Sequence, residues 1–273
     1  MTTTSPAVPA ELTELLRDGI SALPGAFPVP WVDRMHADVL AAFEDARGRE
    51  SGALSRGPNR WYVEVHPEQL SGFVELAGHP WVRATCEAVL GPDYRIVEIG
   101  FDIPFPGAVD QPWHRDFRSP VETYRDRRLT SLAFNLTTVD TTPDMGPFEI
   151  VPGTQYEPGQ DWDHGMFVPK GEWERLQRSS QLRMPQRGDL SVRSALALHR
   201  GTANHSSSSR PVVILGVDAA GEHDDRRADL HVTPAFWKTV PVSLRSHLQV
   251  RVVDELAPLE QRHTIEGLVM GVD

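Results

Sequence analysis

Cysteine is nearly absent from this 273-residue chain: Cys86 stands alone, which excludes an intramolecular disulfide and any metal site built from cysteines. Basic charge is also scarce, with 27 Lys and Arg against 38 Asp and Glu and a formal net charge of −11. Only Lys170 and Lys238 are lysines. A field of that sign repels phosphate backbones, so nucleic acid is not an expected partner. No run approaches the roughly 20 apolar residues of a membrane span. The opening MTTTSPAVPAEL has neither the basic nor the apolar region of a secretory leader. These absences point to a soluble, cytoplasmic protein, with no membrane and no nucleic acid involved; they select no oligomeric state. With 40% hydrophobic and 24% charged residues, the composition is that of an ordinary globular protein.

What is there falls into two textures. The first third reads as mostly helical. In WVDRMHADVLAAFEDAR, residues Trp31, Met35, Val39 and Phe43 recur on one face. PEQLSGFVELAG and PWVRATCEAVLG each begin with proline and end on a glycine, Gly78 and Gly91, suited to a left-handed cap. From Tyr94 the pattern changes to short β-like runs: YRIVEIGFDI, LTSLAFNLTTV, PFEIV, DLSV, ALALH and PVVILGVD. Many short strands separated by turns indicate a sandwich or barrel. Residues 154–180 interrupt them with a Trp-containing loop and a short helix, and read as an insertion over one end of the sheets. With no repeat and no linker, the chain is taken as one domain over 1–273: a helical part at about 10–91, a β core at about 94–233 and a tail at 234–273.

With no usable cysteines, a transition-metal site must come from the 11 histidines and the carboxylates. His-x-Asp/Glu spacing should arise by chance about 1.5 times in this composition, and four copies occur. Geometry separates them, because residues i and i+2 share one side of a strand but lie about 200° apart around a helix. His36 and Asp38 fall within the amphipathic helix, His66 and Glu68 at a helix entrance, and His223 and Asp225 in a charged loop. All three pairs read as structural or solvated. His114 and Asp116 instead follow a strand and a Pro-Gly turn, with Trp113 and Phe117 at alternate positions, so both ligands can face inward from a strand end.

A two-histidine, one-carboxylate site needs a third donor and leaves coordination positions open for a co-substrate and dioxygen. His199, at the end of ALALH, is the best candidate, with His205 in the following polar turn a weaker rival. The next strand opens at Arg210, placing His199 and Arg210 where they could meet across adjoining strands. An arginine there can grip a carboxylate with two parallel hydrogen bonds. Arg115 and Arg118, beside the first pair, read as solvated.

Four blocks in this order, DGISALPGAFPVPWVDRM, QPWHRD, DMGPFEIVPGTQY and GDLSVRSALALHRGTANHSSSSRPVV, resemble the phytanoyl-CoA dioxygenase-like branch of the iron(II)/2-oxoglutarate oxygenases, which also includes ectoine hydroxylase. The resemblance covers about residues 18–218. It implies a mainly β fold with flanking helices, built on a double-stranded β-helix (a jelly-roll, cupin-like core). It further implies that His114, Asp116 and His199 bind Fe(II) as the catalytic centre, that Arg210 clamps 2-oxoglutarate, and that dioxygen is consumed to oxidise a C–H bond, with release of succinate and CO2. Asn135 falls where the family often places a polar contact to 2-oxoglutarate. Gln111, Trp113 and Phe117 become candidates for the substrate wall, with Trp162 and Trp173 read as packing within the insertion.

Several departures qualify that transfer. Gly201 stands where many members have serine, so Thr202 is the candidate for the missing hydrogen bond to 2-oxoglutarate. PGTQ replaces Pro-Gly-Ser-His. Where ectoine hydroxylase carries a glutamine, this chain has apolar Ile99 or its neighbours, which argues against an ectoine-like substrate. Retention of Asp116 disfavours halogenation. The competing reading is a β-sandwich without oxidative chemistry, either a ligand-binding protein or a cupin-type isomerase.

Overall fold

The computed structural model describes residues 10–222 and 230–261. Its centre is a seven-stranded, wholly antiparallel sheet. In chain order its strands are β1 (Ile20–Leu23), β2 (Leu54–Ser55), β3 (Arg60–Glu64), β4 (Arg95–Pro104), β5 (Ser131–Thr137), β8 (Leu190–Ser194) and β10 (Val212–Asp218). In space they run β1-β8-β5-β10-β4-β3-β2. A smaller antiparallel sheet holds β6 (Phe148–Ile150), β7 (Gln181–Arg183) and β9 (His199–Gly201) in the order β7-β6-β9. Strand alternation gives the large sheet two kinds of face. Ile99, Phe101, Phe134, Leu136, Val213 and Leu215 are buried in the main core, whereas Glu98, Asp102, Asn135, Thr137, Val212 and Ile214 line a cavity.

The core-side face is covered by helices from the first third. Of α1 (Ala10–Asp18), α2 (Val29–Arg47), α3 (Phe73–Ala77) and α4 (Pro80–Leu90), α2 buries Trp31, Met35, Val39 and Phe43, the four residues of the predicted stripe. The first third is not purely helical, however, because β1, β2 and β3 join the large sheet. PEQLSGFVELAG forms a 3-10 turn at Pro67–Gln69 and then α3. At the break the chain passes close to α2: a Cβ on Gly72 would lie 2.4 Å from the Trp31 ring. Gly91 has φ +91°. Gly78 is right-handed at φ −85°, and is needed instead for space, since a Cβ there would approach the Val74 carbonyl to 2.8 Å.

ALALH is not a strand up to its histidine. Residues 195–198 form a turn, closed by Ala197 N–H donating to Ser194 O (3.2 Å) and Leu198 N–H to Thr154 Oγ1 (2.9 Å), and β9 begins at His199. β9 and β10 therefore lie in different sheets rather than side by side. The insertion at 154–180 carries two 3-10 turns and the helix Trp173–Ser179. Its Trp162 and Trp173 pack with Trp113, Val151, Val168, Leu176 and Leu198 in a separate small core.

Candidate metal centre

The main chain assembles the site. His114 N–H donates to His199 O (3.0 Å) and His199 N–H to His114 O (2.9 Å), a reciprocal antiparallel pair that sets the two residues directly opposite each other. Asp116 N–H donates to Ala195 O (2.9 Å), bringing the carboxylate to the same point. One ligand atom from each of His114, Asp116 and His199 lies within 4.8 Å of the other two, and Asp116 Oδ1 is 3.5 Å from His199 Nε2. Each ring donates its Nδ1–H to a backbone carbonyl, Pro112 O at 2.8 Å for His114 and Ala197 O at 2.9 Å for His199. A carbonyl can only accept, so both tautomers are fixed with the Nε2 lone pair available to a metal.

The charge states suit a divalent cation. Burial pushes His114 down to about 4, against smaller opposing effects from the Pro112 carbonyl and Asp116. His199 is held well below its ordinary value by burial, Arg193 and His114. For Asp116, burial alone would raise the value, but Arg193 and the two imidazoles outweigh it and leave the carboxyl at about 2. Near neutrality the centre is thus two neutral imidazoles and one carboxylate, all ready to donate without losing a proton.

The centre opens into a cavity of about 440 Å³ between the two sheets. One rung of the large sheet, Thr137–Val212–Asp102, sets its wall beside Arg210, and the paired Asn135 and Ile214 of the next inward rung continue it. Arg210 is buried; its Nε–H is shared between Gly146 O (3.0 Å) and Met145 O (3.3 Å). Burial and nearby Arg60 lower its pKa to about 10, with Asp102 opposing, so it is still a cation at neutral pH. His199, on β9 of the small sheet, and Arg210, two residues before β10 of the large sheet, both line this cavity.

The remaining predicted residues divide. Asn135 and Phe117 line the cavity. Gln111 lines it too, but clamps β9 at the same time, since its N–H donates to Gly201 O and its Oε1 accepts from Gly201 N–H, both at 2.9 Å. Trp113 is fully enclosed in the small core, with the Arg200 guanidinium 4.8 Å from its ring centroid, so it is no part of the cavity wall. Thr202 also turns away: its hydroxyl donates to Pro147 O (2.7 Å). Arg60 fills the space a serine at 201 would need, because a Cβ on Gly201 would sit 1.9 Å from Arg60 Nη1. Arg115 is buried rather than solvated, donating to Glu157 O (2.8 Å) beneath Trp162, whereas Arg118 and His205 are exposed. Ile99 points into the core, and the neighbours facing the cavity on that strand include the carboxylates Glu98 and Asp102.

The other His-x-acid pairs hold the fold. His36 bonds Thr138 (3.0 Å), Asp38 accepts from Ser71, His66 bonds Ala257 O (2.8 Å) and Glu68 accepts from Thr233. His223 and Asp225 lie outside the described residues. The sequence reading passed over Arg193, which lines the cavity and places Nη1 2.6 Å from Asp116 Oδ2. Its signal was present: Arg193 alternates with the apolar Leu190 and Val192 of the same strand and shares the parity of Ser191, so a cation occupies the face opposite the core.

The profile of one protein family, described as phytanoyl-CoA dioxygenase (PhyH), matches residues 9–212. A dioxygenase of Emericella variicolor, andF, is 26% identical over 204 residues, covering 69% of this chain and 58% of that protein. The chain thus spans a little over half the length of that relative. Among solved structures, the epimerase SnoN in complex with Fe3+, alpha ketoglutarate and nogalamycin RO superposes with a TM-score of 0.62 at 19% identity, over 77% of this chain and 82% of that one. EctD from S. alaskensis, with 2-oxoglutarate and 5-hydroxyectoine, gives 0.63 at 15% identity, over 80% and 78%. These likenesses establish the jelly-roll fold. No helix among the described residues is long and apolar enough to cross a membrane.

Proposed function

The chain belongs to the phytanoyl-CoA dioxygenase family, and from that premise we propose that it is an Fe(II)- and 2-oxoglutarate-dependent oxygenase that hydroxylates an unactivated C–H bond of a small molecule. The observation that carries this reading is the convergence of His114, Asp116 and His199 on one point, with Arg210 on the same cavity. Fe(II) bound there supplies the redox chemistry by which one dioxygen molecule is divided between 2-oxoglutarate, which becomes succinate and CO2, and the substrate, which becomes an alcohol.

The chain's own residues do the rest. The imidazoles of His114 and His199 and the Asp116 carboxylate would hold the metal. Arg210 binds the distal carboxylate of 2-oxoglutarate through its guanidinium, and Asn135 offers a polar contact along the same wall. Phe117, Phe148 and Met166 form the apolar side of the cavity near the metal ligands, where they position substrate and keep bulk water from the reacting carbon. The similarity to SnoN supports a substrate from secondary metabolism. A reducing cytoplasm would keep the iron ferrous.

Succinate release by iron-loaded protein over a metabolite panel tests the reaction. His114→Ala, Asp116→Ala and His199→Ala should each abolish it, and Arg210→Ala should raise the 2-oxoglutarate needed for half-maximal rate. Product mass separates hydroxylation (one oxygen gained) from desaturation or ring closure (two hydrogens lost) and epimerisation (no change). Independently of activity, Co(II) plus 2-oxoglutarate should raise the melting temperature of the wild type, since ligands that bind only the folded state stabilise it. No thermal shift together with no succinate would favour the non-oxidative sandwich.

A further inference from the structure

The carboxylate of Asp116 is divided between two tasks. Its Oδ1 faces His199 Nε2 at 3.5 Å, within the ligand cluster, while its Oδ2 accepts from Arg193 Nη1 at 2.6 Å. Arg193 is held firmly for this contact. It sits on β8 with β5 on one side, opposite Ala133, and β1 on the other, opposite Ile20. Its side chain is 6% exposed, and the guanidinium carbon lies 5.6 Å from the Phe148 ring centroid, the ring that also packs 5.1 Å from His199. Its Nε is buried without a hydrogen-bond partner. The guanidinium thus makes its hydrogen bond to the carboxylate through Nη1 while its Nε is left unsatisfied.

We propose that Arg193 is a positioning residue for the metal centre: it occupies Asp116 Oδ2, restricts that carboxylate to one-oxygen ligation, and so keeps a coordination position free for the co-substrates. The inference rests on the reading of His114, Asp116 and His199 as a metal site. A carboxylate with both oxygens free binds divalent cations through one or both. Two-oxygen binding by Asp116 would occupy a position that the keto acid or dioxygen requires. Arg193 prevents this sterically and by charge, and lowers the negative charge that Asp116 can offer. It is thereby a residue that weakens raw metal affinity in exchange for an open site.

That trade gives a signature opposite to ordinary structural damage. Co(II) is titrated anaerobically into wild type, Arg193→Met, Arg193→Lys and His199→Ala, followed by visible absorption with and without 2-oxoglutarate, with melting temperatures measured in parallel. Removing a cation beside the site should tighten Co(II) binding in Arg193→Met by roughly fivefold. The ligand-field bands should weaken in intensity as coordination number rises, and 2-oxoglutarate should perturb them less. Arg193→Lys, which keeps a charged donor, should restore the wild-type spectrum. Unchanged affinity and bands in Arg193→Met, or weaker Co(II) binding, would overturn the role of Arg193 while His199→Ala still loses the metal. If wild type fails to bind Co(II), or His199→Ala binds it as well as wild type, the metal site itself fails and the inference with it.

Discussion

Replacing Gly201 with serine, the residue many members of the family carry there, should damage this protein, and the structure says by how much. The glycine is not required by its backbone, which is absent from the positive-φ positions. It is required by Arg60, whose Nη1, Cζ and Nη2 would lie 1.9, 2.4 and 2.4 Å from the new Cβ. Arg60 is 1% exposed, so the guanidinium cannot retreat into water. Overpacking of this kind costs about 3 kcal/mol, which for a chain of this size lowers the melting temperature by roughly 6–12 °C. Arg60 itself contributes little that would be missed. Its Nε and Nη1 are buried without partners, its bond to Thr202 O is 3.3 Å long and Asp102 stands 3.8 Å away. Arg60→Met should therefore be mild alone and should rescue Gly201→Ser, with a coupling of about 2 kcal/mol in the double-mutant cycle. Urea unfolding of the four proteins measures it. A Gly201→Ser variant as stable as the wild type, or no rescue by Arg60→Met, would refute the steric account.

Two other outcomes follow from the same region. Asn204 is fully buried in the turn between β9 and β10, donating to Pro104 O (3.0 Å) and Ser208 O (2.9 Å) and accepting from Ser206; Asn204→Ala should cost about 3 kcal/mol in urea unfolding by stranding those groups. The metal-free protein should lose stability as pH falls from about 6.5 to about 4, because unfolded His114 takes up a proton that the folded residue, at about 4, refuses; this amounts to about 3 kcal/mol. Asp116, at about 2 when folded, adds a further loss below its ordinary range. His114→Gln should flatten the slope between pH 7 and 4.5, read as the urea midpoint.

Much of this organisation is legible in the sequence because it rests on periodicity. The α2 stripe, the texture of short strands after Tyr94 and the inward parity of His114 and Asp116 need only 3.6- and 2-residue repeats. What escapes notice is decided by distant partners. β1, β2 and β3 are too short to declare themselves, and pair only because β8 offers an edge to β1, β4 to β3 and β3 in turn to β2. Trp113 alternates with His114 as a strand residue should, yet it belongs to another core because the 154–180 insertion folds over it. Thr202 sits at a plausible spacing, but its hydroxyl was already claimed by Pro147. Arg60 and Gly201 stand 141 positions apart, and nothing local in either marks their mutual fit.

The reciprocal pairing of His114 with His199 has a consequence for how the protein comes to exist. It joins residues 85 positions apart, so its loop-closure cost is met only by cooperative folding of both sheets. A nascent polypeptide that has emerged as far as β8 carries two of the three donors and none of the main-chain bonds that aim them. If these three side chains hold a metal, as proposed, its loading waits until His199 has left the ribosome, and local opening of β9 is enough to remove one of its ligands.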